Sequence, residues 1–159
     1  MNNEILFLDT CVFIDCLDSD KHEQILDHAN NDGFTITTSI TVLGETVTQL
    51  MECRTEIDRI VKFCELLDQW DVSFSFPNDV IRKLCYFIGE ELSVRDDLFY
   101  QVTDRTHLAY AIAYKSDFFI TSDRAIRQFV LPKKIMNAGY RKPDTLTLHE
   151  FYKEYLKKR

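Results

Sequence analysis

The segment DRTHLAYAIAYKSDFFITSD (104–123) joins a helical pattern to a short apolar strand. Between Leu108 and Ile112 its apolar residues recur at three- and four-residue spacing, which predicts a helix over 104–115. The run FFIT (118–121) is short and apolar, as is typical of a strand buried in a parallel sheet. A helix that leads into such a strand is the repeating unit of α/β domains.

The rest of the chain repeats this alternation. The other predicted strands are ILFL (5–8), FTITT (34–38), VSFSF (72–76) and KIMNA (134–138). Amphipathic helical stripes lie between them, at 42–51, 57–67 and 80–88. The segment 93–103 has weak periodicity and predicts a loop that contains a short helix. This order predicts an α/β domain with a mainly parallel sheet of about five strands.

Length and composition predict one globular domain that spans residues 1–159. Hydrophobic residues make up 45% and charged residues 28%, which excludes extensive disorder. The sequence has no apolar run long enough to cross a membrane, and MNNEILFLD at the N-terminus lacks the basic segment of a signal peptide. The 5 cysteines form no CxxC pair, which favours reduced thiols in a cytoplasmic protein over disulfides or a zinc site.

Charge is divided unevenly along the chain. Residues 1–123 carry 9 basic and 23 acidic side chains, whereas residues 124–159 carry 10 basic and 3 acidic ones. The acidic body argues against a protein that coats nucleic acid without specificity. The basic C-terminal quarter allows a local phosphate-binding surface, and its candidate phosphate contacts are Arg124, Arg127, Lys133 and Lys134, with Arg141 and Lys142 further along the chain.

Four acidic side chains fall where predicted strands end or the following helices begin. They are Asp9 after the first strand, Glu45 in the helix after the second, Asp104 at the start of the quoted helix and Asp123 beyond FFIT. Like charges at one sheet edge raise each other's pKa, and a divalent cation relieves that conflict. Oxygen ligands favour Mg²⁺ or Mn²⁺ over zinc. The alternatives are helix capping for the three aspartates and a solvated helix face for Glu45.

Three blocks of the sequence resemble the conserved blocks of the PIN-domain family: FLDTCVFID (7–15), SITVLGE (39–45) and the segment 104–123. In that family an apolar strand runs into Asp-Ser/Thr, and a Glu lies in the helix after the second strand. A third Asp begins an Ala-rich helix, and a later strand ends in Thr-x-Asp. The four carboxylates match these positions in order, and TLTLHEFYKEY (145–155) resembles the family's last helix.

The resemblance implies a three-layer α/β/α sandwich and a metal-dependent ribonuclease, and many compact members are toxins of toxin–antitoxin pairs of the VapC type. It implies that Asp9 and Asp104 bind Mg²⁺ or Mn²⁺ directly, with Asp123 as a further ligand. Glu45 is then a ligand or positions the attacking water. The residues expected to orient these carboxylates by hydrogen bonds are Thr10, Ser39 and Thr121. The family often has Asn where this chain has Cys11, which affects the fine geometry more than the reaction.

His107 lies three residues after Asp104 on the same helix face. We interpret it as a packing or surface residue, because a Mg²⁺ site prefers oxygen ligands. The alternative is a metal ligand or a general acid.

The expected partners are an RNA substrate, an antitoxin protein and a second copy of the chain, since the apolar helix faces at 42–67 exceed what one small core needs. Alternative functions are an inactive PIN-like interaction module and an RNA-processing nuclease that is not a toxin. A phosphate-transfer enzyme of another α/β family would commonly need a second Asp two residues after Asp9, where Cys11 stands.

Overall fold

The computed structural model describes residues 4–52, 57–92 and 102–157. In chain order the elements are β1 (Ile5–Leu8), α1 (Thr10–Asp18), α2 (Asp20–Asn31), β2 (Thr35–Ser39), α3 (Ile40–Glu52), α4 (Ile57–Gln69), β3 (Ser73–Ser75), α5 (Asp79–Leu92), α6 (Val102–Ala113), β4 (Phe118–Ile120), α7 (Arg124–Gln128), α8 (Lys133–Asn137), β5 (Asp144–Leu146), α9 (Leu148–Phe151) and a final π-helical turn, Tyr152–Leu156. None of the helices in these ranges is long and apolar enough to cross a membrane.

The five strands form one parallel sheet in the order β3-β2-β1-β4-β5. Parallel strands need helical crossovers, and right-handed crossovers place the helices between β1 and β3 on one face of the sheet. The later crossovers run in the opposite direction and place their helices on the other face. The prediction of a helix-flanked parallel sheet of about five strands is confirmed.

The core lies around the two central strands. Leu6, Phe7 and Leu8 in β1 have no exposed surface, and the same is true of Phe119 in β4. The rings of Phe7 and Phe119 pack edge to face with centroids 5.2 Å apart. Leu8 is in register with Ile120, so the residues that follow these two strands emerge side by side at one edge of the sheet.

The prediction that KIMNA (134–138) forms the last strand is wrong. These residues fall mainly in helix α8, which Pro132 precedes, and Gly139 with φ of 87° follows its end. Proline before a helix and glycine in the left-handed region after it are signals for a helix rather than a strand. The fifth strand is β5 at the sheet edge, a three-residue segment that begins with an exposed Asp144 and so lacks an apolar run.

The loop with a short helix that we expected at 93–103 lies almost entirely outside the described residues. The helix that follows begins at Val102, two residues before the predicted start at Asp104.

Candidate active site

The candidate site lies where the chain reverses its direction across the sheet. From β1 the chain proceeds to β2 on one side, and β4 and β5 lie on the other side. In open parallel sheets, ligands bind at the carboxyl ends of the strands beside such a switch point. A cavity of about 250 Å³ is present there, and the residues that line it are Asp9, Thr10, Cys11, Glu45, Gln49, Asp104, Ser122 and Asp123. The structure therefore brings the four predicted carboxylates together around one cavity.

A larger cavity of about 560 Å³ lies at the opposite, amino ends of the strands, beside Glu4, Asp117 and Asp144. None of the four predicted carboxylates lines it. We therefore place the candidate site in the smaller cavity.

Asp9 is the most enclosed of the four carboxylates, with 6% of its surface exposed. Its Oδ1 accepts hydrogen bonds from the Thr10 backbone N–H at 2.9 Å and from His107 Nδ1 at 3.0 Å. Its Oδ2 accepts from Thr121 Oγ1 at 2.5 Å and from the Cys11 thiol at 3.7 Å. Burial alone raises the pKa of Asp9. The hydrogen bond and charge of His107, together with the hydrogen bonds from Thr121 and Thr10, have a larger opposite effect, so the pKa is lowered. Asp9 also caps α1, so its capping and site roles coexist.

His107 lies behind the cavity wall and has only 1% of its surface exposed. While Nδ1 contacts Asp9, Nε2 lies 3.4 Å from Glu45 Oε2 without the geometry of a hydrogen bond. Sequence reasoning interpreted this residue as packing or surface and missed its contacts with two of the carboxylates. The available signal was its position one helical turn after Asp104.

Glu45 projects from α3 and is held by α1, because Thr10 Oγ1 donates to Glu45 Oε2 at 2.7 Å. Gln49, one turn further along α3, also lines the cavity. The sequence analysis did not select Gln49, although its four-residue spacing from Glu45 places both side chains on one helix face.

Ser39 was expected to orient a carboxylate, and the structure gives its hydroxyl a different set of contacts. Ser39 Oγ accepts from the Val42 backbone N–H at 3.2 Å and lies 2.7 Å from Thr41 Oγ1. Both contacts lie in the first turn of α3, so in the described residues this hydroxyl serves the helix start.

Asp123 caps α7, as its position after β4 allowed. Its Oδ1 accepts from the backbone N–H groups of Ala125 at 2.6 Å and Ile126 at 3.2 Å. Thr121 links this residue to Asp9, because its Oγ1 accepts from the Asp123 backbone N–H at 3.0 Å while it donates to Asp9.

Asp104 lies in the first turn of α6, two residues after the helix begins. Burial, followed by the negative charges of Asp123 and Asp9, raises the pKa of Asp104 to about 6. Asp104 is thus the carboxylate of the cluster that carries the cost of the crowded negative charge.

A metal site can also be sought by ligand geometry. Across residues 4–52, 57–92 and 102–157, no three His, Cys, Asp or Glu side chains are arranged as a ready set of metal ligands. Cys11 lines the cavity as a free thiol, and burial together with the charge of Asp9 raises its pKa, which keeps it protonated.

The basic residues beyond Asp123 divide into two groups. Arg127 pairs with Glu150 at 3.2 Å, and the Lys134 ammonium lies 4.2 Å from the centroid of the Phe87 ring. Lys142 donates to three backbone carbonyls at the end of α7, those of Ile126, Arg127 and Phe129, at 2.8 to 3.0 Å. Arg124 and Lys133 are exposed, and Arg124 directly follows the site residue Asp123. The basic surface beside the cavity is therefore smaller than the sequence implies.

A family model described as PIN domain matches residues 6–130, a range that contains all four carboxylates. The chain belongs to the PIN-domain family. The resemblance found in the sequence is confirmed.

Three solved structures share this PIN fold. VapBC2 from Rickettsia felis, bound to a DNA fragment from its promoter, is 16% identical with a TM-score of 0.66, covering 90% of this chain and 96% of that one. VapBC-1 from nontypeable Haemophilus influenzae is 14% identical with a TM-score of 0.67, covering 91% and 98%. The Mycobacterium tuberculosis toxin VapC20, which cleaves the sarcin–ricin loop, is 19% identical with a TM-score of 0.54, covering 80% and 98%. No curated protein matches the sequence.

The raised pKa of Asp104 predicts how the stability of the metal-free protein depends on pH. Because this pKa rises from 3.8 to about 6 on folding, ionisation of Asp104 opposes folding, and stability is lost as the pH rises through this interval. Asp104→Asn carries no charge at any pH. We expect the variant to gain stability relative to wild type between about pH 4 and about pH 7.5.

Urea unfolding in EDTA at both pH values measures this difference. Asp68→Asn, a change at an exposed position of α4, is the control and should show a smaller pH dependence. A stability difference for Asp104→Asn that is the same at both pH values would contradict the raised pKa of Asp104.

Proposed function

We propose that this PIN-domain protein is a metal-dependent endoribonuclease that hydrolyses RNA phosphodiester bonds. The observation that carries the proposal is the convergence of Asp9, Glu45, Asp104 and Asp123 around one cavity at the switch point of the sheet. Capping explains two of these side chains, but it explains neither Glu45 nor the burial and neighbouring negative charges that raise the pKa of Asp104.

The chemistry of the donor set fits Mg²⁺ or Mn²⁺, with Asp9, Asp104 and Asp123 as the residues that would hold it. Oxygen ligands dominate the cavity, and a divalent cation offsets the repulsion that Asp104 experiences. Mg²⁺ is usually bound by one or two carboxylates and completes its ligand shell with water and substrate phosphates. A Mg²⁺ site here is thus compatible with the finding that no three side chains of the described residues form a ready set of metal ligands.

Each residue has a distinct part in the proposed reaction. The metal, when bound, supplies a water of lowered pKa and offsets charge on the phosphodiester. Thr121 fixes the orientation of the Asp9 carboxylate, and Thr10 does the same for Glu45. Glu45 lines the cavity, where it can accept a proton from the attacking water.

The structural neighbours favour a toxin of a toxin–antitoxin pair as the biological setting. Two of them are VapBC proteins, and the third is a toxin that cleaves the sarcin–ricin loop. We therefore propose RNA as the substrate and an antitoxin protein as a partner. One alternative is an RNA-processing nuclease that is not a toxin, which would have no antitoxin partner. The other is an inactive interaction module, which would not cleave RNA.

Asp104→Asn should lower RNA cleavage by at least about a hundredfold, because the cavity loses a proposed metal ligand. The assay incubates purified protein with a labelled RNA pool and Mn²⁺, and EDTA should abolish cleavage by the wild-type protein. Asp68→Asn, at an exposed position of α4, is the matched control and should cleave at the wild-type rate.

Two outcomes would oppose the proposal in different ways. Cleavage by Asp104→Asn at the wild-type rate would remove the site assignment and leave a nuclease with another centre. A wild-type protein that binds no Mn²⁺ and cleaves no RNA would favour the inactive interaction module.

Arg124 is the basic residue that we propose as a phosphate contact beside the cavity, together with Lys133. Arg124→Gln should weaken RNA binding and reduce the slope of log affinity against log salt by about one unit or less. Lys142→Gln is the comparison, because its ammonium is held by three carbonyls and its loss should lower the melting temperature instead. Binding is measured by fluorescence anisotropy in EDTA, and equal slopes for both variants would assign Arg124 to the solvated surface.

A homodimer is the oligomeric state that we propose, through the exposed part of the α3–α4 faces. Much of the predicted apolar surface is buried within the chain, but Met51, Ile57 and Val61 remain 65%, 74% and 50% exposed. Light scattering at micromolar concentration should give twice the chain mass of 18.8 kDa. Ile57→Glu should halve the mass, whereas the control Val130→Glu, at a 73% exposed position of a different segment, should not. A wild-type mass of one chain would contradict the dimer.

A further inference from the structure

We infer that His107 is a positioning residue of this site, whose ring holds the carboxylate of Asp9 in place. The inference rests on the proposed function, because what it positions is a carboxylate of the proposed nuclease. It adds to the four acidic residues a hydrogen-bond donor that acts through its neighbour.

The ring makes one contact with each carboxylate. His107 Nδ1 donates to Asp9 Oδ1 at 3.0 Å, and Nε2 lies 3.4 Å from Glu45 Oε2. Asp9 follows β1 and Glu45 lies in α3, whereas His107 belongs to α6. A single side chain thus joins α6 to the end of a central strand by a hydrogen bond and lies beside α3, although these elements are far apart in sequence.

Packing alone does not account for a histidine at this position. The residue is 1% exposed, and its Nε2 is buried without a hydrogen bond within the described part of the chain. A buried polar atom in that condition opposes folding, and an aliphatic side chain such as Leu would fill similar space without it. What the imidazole offers and Leu does not is a donor aimed at Asp9 and a polar edge beside Glu45.

The contact with Asp9 has a specific structural effect. Two donors reach each oxygen of this carboxylate: Thr10 and His107 at Oδ1, Thr121 and Cys11 at Oδ2. Without His107, Oδ1 keeps only a backbone donor from the adjacent residue, and the carboxylate plane loses its support from α6. Loss of hydrogen-bond partners that orient metal-binding side chains typically costs about 10- to 100-fold in metal affinity or activity.

Three substitutions distinguish the effect of each ring nitrogen from the effect of the space that the ring fills. His107→Asn places an amide N–H near the position of Nδ1 and retains the donor to Asp9. His107→Gln places its amide near the position of Nε2, and His107→Leu retains neither. His149→Asn, at an exposed position of α9, is the matched control.

The first readout is the dissociation constant of Mn²⁺, measured by calorimetry without RNA. We expect the Leu variant to bind Mn²⁺ about 10- to 100-fold more weakly and the Asn variant to bind close to the wild-type strength. The Gln variant should resemble Leu, because it also lacks the donor to Asp9. The control should bind as the wild type does.

The second readout is RNA cleavage, measured well below the melting temperature of each variant. The kcat should fall in the same order as the Mn²⁺ affinity, with KM for RNA little changed, because His107 is buried and does not line the cavity. A purely structural role would instead make losses follow the melting temperature and leave the Mn²⁺ affinity of folded protein unchanged. Rescue by Asn and not by Gln is the signature of positioning.

The results also separate this inference from the function on which it rests. If His107→Leu and His107→Gln fold, bind Mn²⁺ and cleave RNA as wild type does, the positioning role is overturned, while the proposed nuclease stands as long as Asp104→Asn is inactive. If the wild-type protein neither binds Mn²⁺ nor cleaves RNA, the proposed function and this inference fall together.

Discussion

The arrangement of the site depends on the compensation of one buried anion, the carboxylate of Asp9. A charge that is 6% exposed persists in a folded protein only when hydrogen bonds or opposite charges replace its water. Its donors come from the first turn of α1, from the residue after β4 and from α6. Because one carboxylate holds all three in contact, satisfying Asp9 also places Asp104 on α6 and Asp123 after β4 at the cavity, while Glu45 on α3 is held there by Thr10.

The sequence predicted what local pattern can encode. Strands β1 and β4 are buried on both faces, so each is visible in the sequence as an apolar run. The ends of these runs then locate the carboxylates that follow them. Strand β5 was missed because an edge strand of three residues needs no such run. The contact of His107 with Asp9 joins residues 98 positions apart, and the spacing of His107 from Asp104 within α6 could suggest a place near the site but not Asp9 as its partner.

The number of basic residues in the sequence overstated the basic surface of the folded protein. Residues 124–159 carry 10 basic side chains, yet Lys142 and Arg127 serve interactions within the fold. Lys142 is the clearest case, because it closes the carbonyl end of α7, whose amino end is capped by Asp123. This short helix thus has an anion at its start and a cation at its end, which matches the helix dipole and fixes the position of Asp123 in the site.

The pairing of β1 with β4 has a consequence for the synthesis of the protein. Leu8 is in register with Ile120, so Asp9 cannot meet Thr121 until more than three quarters of the chain has been made. Contacts of such long sequence separation form late, after the intervening loops have closed. A nascent chain that ends before Asp123 therefore cannot assemble the cavity of four carboxylates, however far its first strands have folded.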